Sequence, residues 1–267
     1  MKYTPSLPDE SVNRPRGSLI VTALKLTVAL ALIVAVAYAA MLLAVDYTVA
    51  HLSAQSEKRL MSFAQVDFNM SAARHSDYLQ RVTDKLAACA DLPYTIRTYV
   101  VDEPEANAFA LPGGKIMITR GMLGQIRNEN ELASVIGHEL GHFKHKDHLK
   151  GLGKSLLAGL ISMAVAEKYG ALFGATLSVA DARYSQSQEL SADLYGLDLM
   201  QCAYGNVHDA TALFSRMDSG EKWRYFLASH PDFGKRVARM RAYIGERGYD
   251  DTGRSVPLPK GSGWFRH

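Results

Sequence analysis

His138 and His142 stand four residues apart, with Glu139 between them, in the run His-Glu-Leu-Gly-His. On a helix that spacing puts both imidazoles on one face, about one turn (5.4 Å) apart. Both could then reach one zinc ion at about 2.0–2.1 Å. A zinc ion held there would lower the pKa of a bound water toward about 7. Glu139 points partly away from the ion, where it could take the water's proton and pass it to a leaving amine. The chemistry is metal-assisted hydrolysis of a peptide bond. Gly141 is a poor helix former, so its place in mid-helix predicts close packing by another element.

Two imidazoles do not complete a site, and the pattern can arise by chance on a charged helix. His148 would extend it to a longer three-histidine motif, but that motif needs Gly where His145 stands. If the helix continues, residue 148 lies about 240° around from His142. His145 faces the right side but sits about 10 Å along the axis from His138. Both are read as polar-face residues. Glu189 is the better candidate for a third ligand, because two His and a Glu form a catalytic zinc set that leaves one position open, although on its own a Glu and Asp pair reads as a solvated helix face. Asp193 shares its helix face and could fix the tautomer of a ligating His.

The elements that must carry these residues follow from patterning. Residues 128–146 read as a helix, with Glu129 and Glu131 suiting its first turn. Residues 182–203 and 233–245 are further helices, and residues 56–90 are polar with helical spacing at Tyr78, Val82 and Leu86. Residues 94–101 alternate and are rich in β-branched and aromatic types, so they read as a strand. Residues 107–111 and 115–119 read as two more, joined by a turn at Pro112, Gly113 and Gly114. Strands first and helices after predict a mostly helical α+β fold with a small sheet.

Four ordered motifs together resemble the HtpX, CAAX prenyl protease and Oma-type zinc metallopeptidases, over roughly residues 75–245. They are His138-Glu-Leu-Gly-His142, Glu189-x-x-Ala-Asp193, the hairpin from Asn107 to Gly114 followed by Thr119-Arg-Gly-Met-Leu123, and Ser229-His230-Pro231 followed by Arg236. The resemblance implies a zincin-like metallopeptidase domain with one zinc per chain on His138, His142 and Glu189, and protein or peptide substrates. It implies that Asn107, Ala108, Phe109, Ala110 and Leu111 form an edge that receives substrate as an added strand. It gives His230 a place at the site, either donating to the oxyanion or capping the metal. The family usually has Arg three residues before the third ligand; Gln186 stands there, which touches an auxiliary interaction rather than metal binding. The likeness is strongest to small bacterial envelope members, and implies quality control of envelope or membrane proteins.

Residues 19–45 carry one charge, Lys25, and residues 26–45 carry none. About 20 apolar residues span a bilayer, more than the about 7–15 of a signal peptide, so this reads as an uncleaved transmembrane anchor in contact with lipid. Arg14, Arg16 and Lys25 precede or enter it, and no Lys or Arg follows until Lys58. The positive-inside rule then puts residues 1–18 in the cytoplasm and the rest outside; with the resemblance, this implies a bacterial inner membrane with the catalytic domain in the periplasm. Residues 46–74 read as a linker or helical region, 75–250 as the peptidase domain and 251–267 as a tail. Within 152–180, the uncharged pieces 155–166 and 169–180 are too short to span and read as core helices.

Composition bounds the rest. The chain has 267 residues, 48% hydrophobic and 21% charged, which fits a globular domain plus an appendage. A net charge of +3 is too mild to argue for nucleic acid. Lys235, Arg236, Arg239, Arg241, Arg247 and Arg254 read as a solvated face. Cys89 and Cys202 read as lone buried thiols, with a single disulfide as the alternative in an oxidising compartment. Oligomeric state has no signature. A catalytically silent zinc-fold chaperone or scaffold binding unfolded chains is the alternative function, but it needs no base at Glu139. A prenyl-peptide processing enzyme would need a large intramembrane chamber, which one spanning helix does not form.

Overall fold

In the computed structural model, which describes residues 18–53, 55–57, 59, 73–93, 95–151, 153–154, 184–217 and 223–259, the apolar run is a single helix, α1 (Leu19–His51). Its 33 residues exceed the expected 19–45 and make it long and apolar enough to cross a membrane. Leu26, Leu30 and Ile33 are among its exposed side chains. Arg14, Arg16 and the helices expected at 155–166 and 169–180 lie outside the described residues. The chain divides into two units, residues 1–47 and 48–267.

The second unit is built on a four-stranded sheet in the order β1–β2–β4–β3. β2 (Arg97–Val101) runs parallel to β4 (Lys115–Thr119), and β3 (Ala108–Leu111) pairs antiparallel with β4. The hairpin between β3 and β4 turns at Gly113 and Gly114, both at positive φ (83° and 76°), which only glycine adopts freely. β1 (Ala73–His75) pairs antiparallel with β2. It replaces part of the helical region expected at 56–90, of which α2 (Asp77–Ala87) covers the end. Ser76 caps α2, and Leu79, Val82 and Leu86 bury one face against the sheet.

After α3 (Arg120–Leu123) comes the central helix, α4 (Glu129–Lys144), capped by Asn128, whose side chain accepts from the Glu131 amide at 2.9 Å. Every residue from 130 to 143 is buried, so the sheet, α2 and the later helices wrap this one element. α4 stops two residues earlier than its pattern predicts: Lys146 turns left-handed at φ 55°. His148 is therefore not on a polar face but buried, and His145 is half-buried.

α5 (Gln186–Tyr204) starts with a full capping box, Ser185 with Gln188, and ends at left-handed Gly205. It is followed by α6 (Ala212–Arg216), α7 (Arg224–Ser229) and α8 (Phe233–Arg247). On α8, Lys235, Arg241 and Arg247 are exposed as expected, but Arg236 is 4% exposed and turns inward.

Cys89 and Cys202 form a disulfide, against the expectation of lone thiols. It joins the chain after α2 to the end of α5 across 113 residues. Closing so long a loop restricts the unfolded chain, and replacing both cysteines by serine is expected to cost on the order of 4 kcal/mol. Urea denaturation of the double variant measures this. A midpoint unchanged from the parent would rule out the stabilising role.

Candidate metal centre

α4 offers His138 and His142 from one buried face, and α5 approaches so closely that side chains are excluded between them. A Cβ at Gly141 would meet Ala192 Cα at 2.6 Å, and one at Gly137 would meet Gly196 Cα at 3.1 Å. That approach delivers Glu189 and Asp193, one turn apart on α5, to the two imidazoles. The expected close packing at Gly141 is thus made by the helix that carries Glu189.

His138 Nε2 and His142 Nε2 lie 3.1 Å apart. Glu189 sets Oε2 3.6 Å from the first and Oε1 3.4 Å from the second. His230, at the end of α7, brings Nδ1 to 3.2 Å from His138 Nε2 and 2.9 Å from Glu189 Oε1. Ligand atoms of these four buried residues all fall within 4.8 Å of one another.

The far ring nitrogens show what the near ones are. His138 Nδ1 donates to Asp193 Oδ1 at 2.8 Å, and His142 Nδ1 donates to Asp147 Oδ2 at 3.2 Å. Ionised carboxylates only accept, so each Nδ1 carries a proton, and Nε2 is the atom that each ring, when neutral, can offer inward as a lone pair. Two such lone pairs side by side, next to a carboxylate, repel one another unless a cation sits among them. Imidazole and carboxylate donors in this number suit zinc, so the residues present fit the ion the motif implies.

Arg236 completes the acidic side. Its Nε and Nη2 donate to Asp193 at 2.7 Å each, and Nη1 pairs with Glu189. Burial would raise the Asp193 and Glu189 carboxyls, but the Arg236 charge on Asp193 and the His230 charge on Glu189, with hydrogen bonds, hold both low. Burial pulls His142 down, yet hydrogen bonds to Asp147 and Glu189 and the charges of Glu189 and Glu139 raise it to about 9. Burial dominates at His138 and lowers it. The negative field that favours a proton on His142 equally favours a metal cation.

Glu139 is fully buried, and neither of its oxygens has a hydrogen-bond partner among the described residues; nor does His230 Nε2. Buried polar atoms are normally satisfied, so these three mark where water or substrate belongs.

The sequence reading gave no role at the site to three residues here. Tyr184 stacks on His142 with ring centroids 3.9 Å apart. Its hydroxyl is held well above the usual phenol range by burial and by the charges of Glu139, Glu189 and Asp147. Arg236 had a signal: it falls among Phe233, Val237 and Met240, on the apolar face of α8. Asp147 had none, because only the left-handed Lys146 turns it back to His142. Gln186 does engage a partner, donating to Asp232 at the start of α8. His145 and His148 are not in the cluster.

Asp147 also predicts a pH dependence. Burial would raise its carboxyl, but hydrogen bonds from His142 and Gln188 and the charges of His142 and Lys150 lower it from 3.8 to about 2. A depressed carboxyl stabilises the fold above its unfolded pKa and loses that as pH falls through the folded value. Metal-free protein should therefore lose about 2 kcal/mol through Asp147 alone between about pH 4 and pH 2, with Asp193 and Glu189 acting in the same direction. Urea titrations at about pH 5 and about pH 2.5 measure it; equal stabilities would contradict the pairing.

β3 lies at one edge of the described sheet, with Asn107 just before it. The Thr119 amide donates to Asn107 O, so Ala108 and Ala110, at alternate positions, aim their backbone groups away from β4. No described strand pairs with that edge of β3. The Asn107 side chain accepts from the Ala108 amide at 3.0 Å. Phe109 is half-buried and Leu111 buried.

Residues 73–244 match Peptidase family M48. The chain is similar to the mitochondrial metalloendopeptidase OMA1 of Arabidopsis thaliana, 31% identical over 147 residues, 54% of this chain and 30% of that protein. Against the Schizosaccharomyces pombe protein of the same name it is 29% identical over 185 residues, 63% of this chain and 53% of the relative. Against a protease HtpX homolog of Acidiphilium cryptum it is 44% identical over 84 residues, 30% and 29% of the two chains. The chain thus spans about half or less of the length of these relatives.

Proposed function

Because the chain belongs to peptidase family M48, we propose that it is a zinc endopeptidase, held in a bacterial inner membrane by α1, that cleaves misfolded or misassembled envelope proteins. The observation that carries the reading is the convergence of His138, His142 and Glu189 beside an unpartnered, buried Glu139. When bound, zinc supplies Lewis acidity to a water and to the scissile carbonyl. His138, His142 and Glu189 hold it. Asp193 keeps His138 in the ligating tautomer, and Arg236 fixes Asp193 and Glu189 together. Glu139 takes the water's proton and returns it to the leaving amine. His230 can donate from Nε2 to the developing oxyanion while Nδ1 rests on Glu189.

Substrate would add as a strand along β3, reading the outward groups of Ala108 and Ala110. Backbone pairing tolerates many sequences, which suits a quality-control protease. The Cys89–Cys202 disulfide supports an oxidising compartment for the catalytic unit, in keeping with the charge flanking α1. A compartment-sensitive reporter fused after Gly261 should be active only outside the cytoplasm; cytoplasmic activity would reverse the orientation.

Metal analysis with a casein cleavage assay tests the function. One zinc per chain is expected, with cleavage lost on chelation and restored by zinc. Full cleavage by metal-free protein would overturn the reading.

A further inference from the structure

Lys146 and Asp147, neighbours in the turn that closes α4, reach in opposite directions. The Asp147 carboxylate is buried and ties the two ligand helices together. Oδ2 accepts from His142 on α4 at 3.2 Å, and Oδ1 accepts from Gln188 Nε2, beside Glu189 on α5, at 2.8 Å. Lys150 Nζ adds a third bond at 3.1 Å.

Lys146 leans the other way. Its Nζ donates to the carbonyls of Ala50 at 2.9 Å, Leu52 at 2.8 Å and Val49 at 3.4 Å. Val49 and Ala50 lie in the last turn of α1 and Leu52 just past it, where no further helical amide follows, although Val49 O also accepts from the Leu52 amide at 3.2 Å; an ammonium has three protons to give. The same stretch of chain supplies Glu57, which is buried and accepts from the Gly113 amide in the β3–β4 turn at 2.9 Å. Val49, Ala50 and Leu52 therefore touch the turn that follows His142, and Glu57 touches the turn at the end of the edge strand.

We propose that this turn is a clamp: Asp147 is a positioning residue for the metal ligand His142, and Lys146 seats it by fastening the turn to Val49, Ala50 and Leu52. Asp193 does the matching work for His138, but Arg236 holds it from within the helical core. Asp147 is held in part through the segment at the end of α1, Val49 and Ala50, with Leu52 just after it. Metal affinity then depends on how that segment is seated. The inference rests on the metal-site reading above.

The experiment measures zinc affinity by chelator competition, and the cobalt(II) absorption spectrum, on the full chain in detergent. Asp147→Ala should weaken zinc by about 10–100-fold and shift the cobalt band. Asp147→Asn keeps the shape and serves if the alanine variant does not fold. Lys146→Gly tolerates the left-handed backbone but lacks the ammonium; it should weaken zinc about tenfold, the low end of the same range. Lys146→Arg should restore affinity. In the double variant Lys146→Gly should add less than about twofold to Asp147→Ala, because the two act through one ligand. Unchanged affinity in both Asp147 variants, or fully additive losses, overturns the clamp. If the unaltered chain binds no zinc, the function itself has failed; if it binds zinc and the variants match it, only the clamp has.

Discussion

Glu139→Gln should keep its zinc and lose proteolysis by at least about 10²–10⁴-fold, the usual worth of a positioned general base. Glutamine fills the same volume but cannot accept the water's proton. The site should survive the change. Glu139 is not in the ligand cluster, and neither of its oxygens is hydrogen-bonded among the described residues, so no described bond is broken. Removing a charge from a buried, crowded acidic site should leave the fold as stable or more so. The measurements are zinc content and casein turnover on the same preparation. Retained zinc with unimpaired turnover would remove Glu139 from the mechanism. A silent chaperone would behave differently: the unaltered protein would show no turnover, and the variant would bind unfolded chains as before.

What the sequence made legible was local geometry. Two His at a spacing of four needed only a helix to share a face, and α4 supplies it. The boundaries of β4 and the turn at Gly113 and Gly114 followed from alternation and from glycine's tolerance of positive φ. Gly141 announced a close neighbour without saying which one. What stayed hidden depends on how distant segments meet. The parallel pairing of β2 with β4 leaves no trace in either strand. β1 is three residues long, too short to show a period. The helix pattern runs on through Lys146, so the turn that brings Asp147 back to His142 was invisible, and His148 went to the wrong face. The disulfide needed the end of α5 to pass the chain after α2, which spacing alone does not encode. Arg236 was misread because its charge outweighed its position, although its place among Phe233, Val237 and Met240 pointed inward.

Gly141→Ala should damage the centre without touching a ligand. In most helices this substitution is mildly favourable, by about 0.5–1 kcal/mol. Here the new Cβ would meet Ala192 Cα at 2.6 Å, its carbonyl oxygen at 2.7 Å and its carbonyl carbon at 3.0 Å. Carbon atoms rest at about 3.5–4.0 Å, and all three are backbone atoms that no rotamer change can move. α5 must therefore back away by about 1 Å. Ala192 sits between Glu189 and Asp193, so the carboxylates that lie against His138 and His142 move with it. Overpacking of this kind costs about 1–3 kcal/mol in stability. A displacement of about 1 Å at reacting groups costs about 10²-fold in turnover. Gly245→Ala on α8 is the control, because its Cβ would meet nothing within 4 Å. Both substitutions carry the same helix-propensity gain, so a difference between them reports the α4–α5 approach alone. Zinc affinity, urea midpoint and turnover should all fall for Gly141→Ala and hold or rise for Gly245→Ala. Equal behaviour of the two variants would mean that the contact between the helices does not set the metal centre.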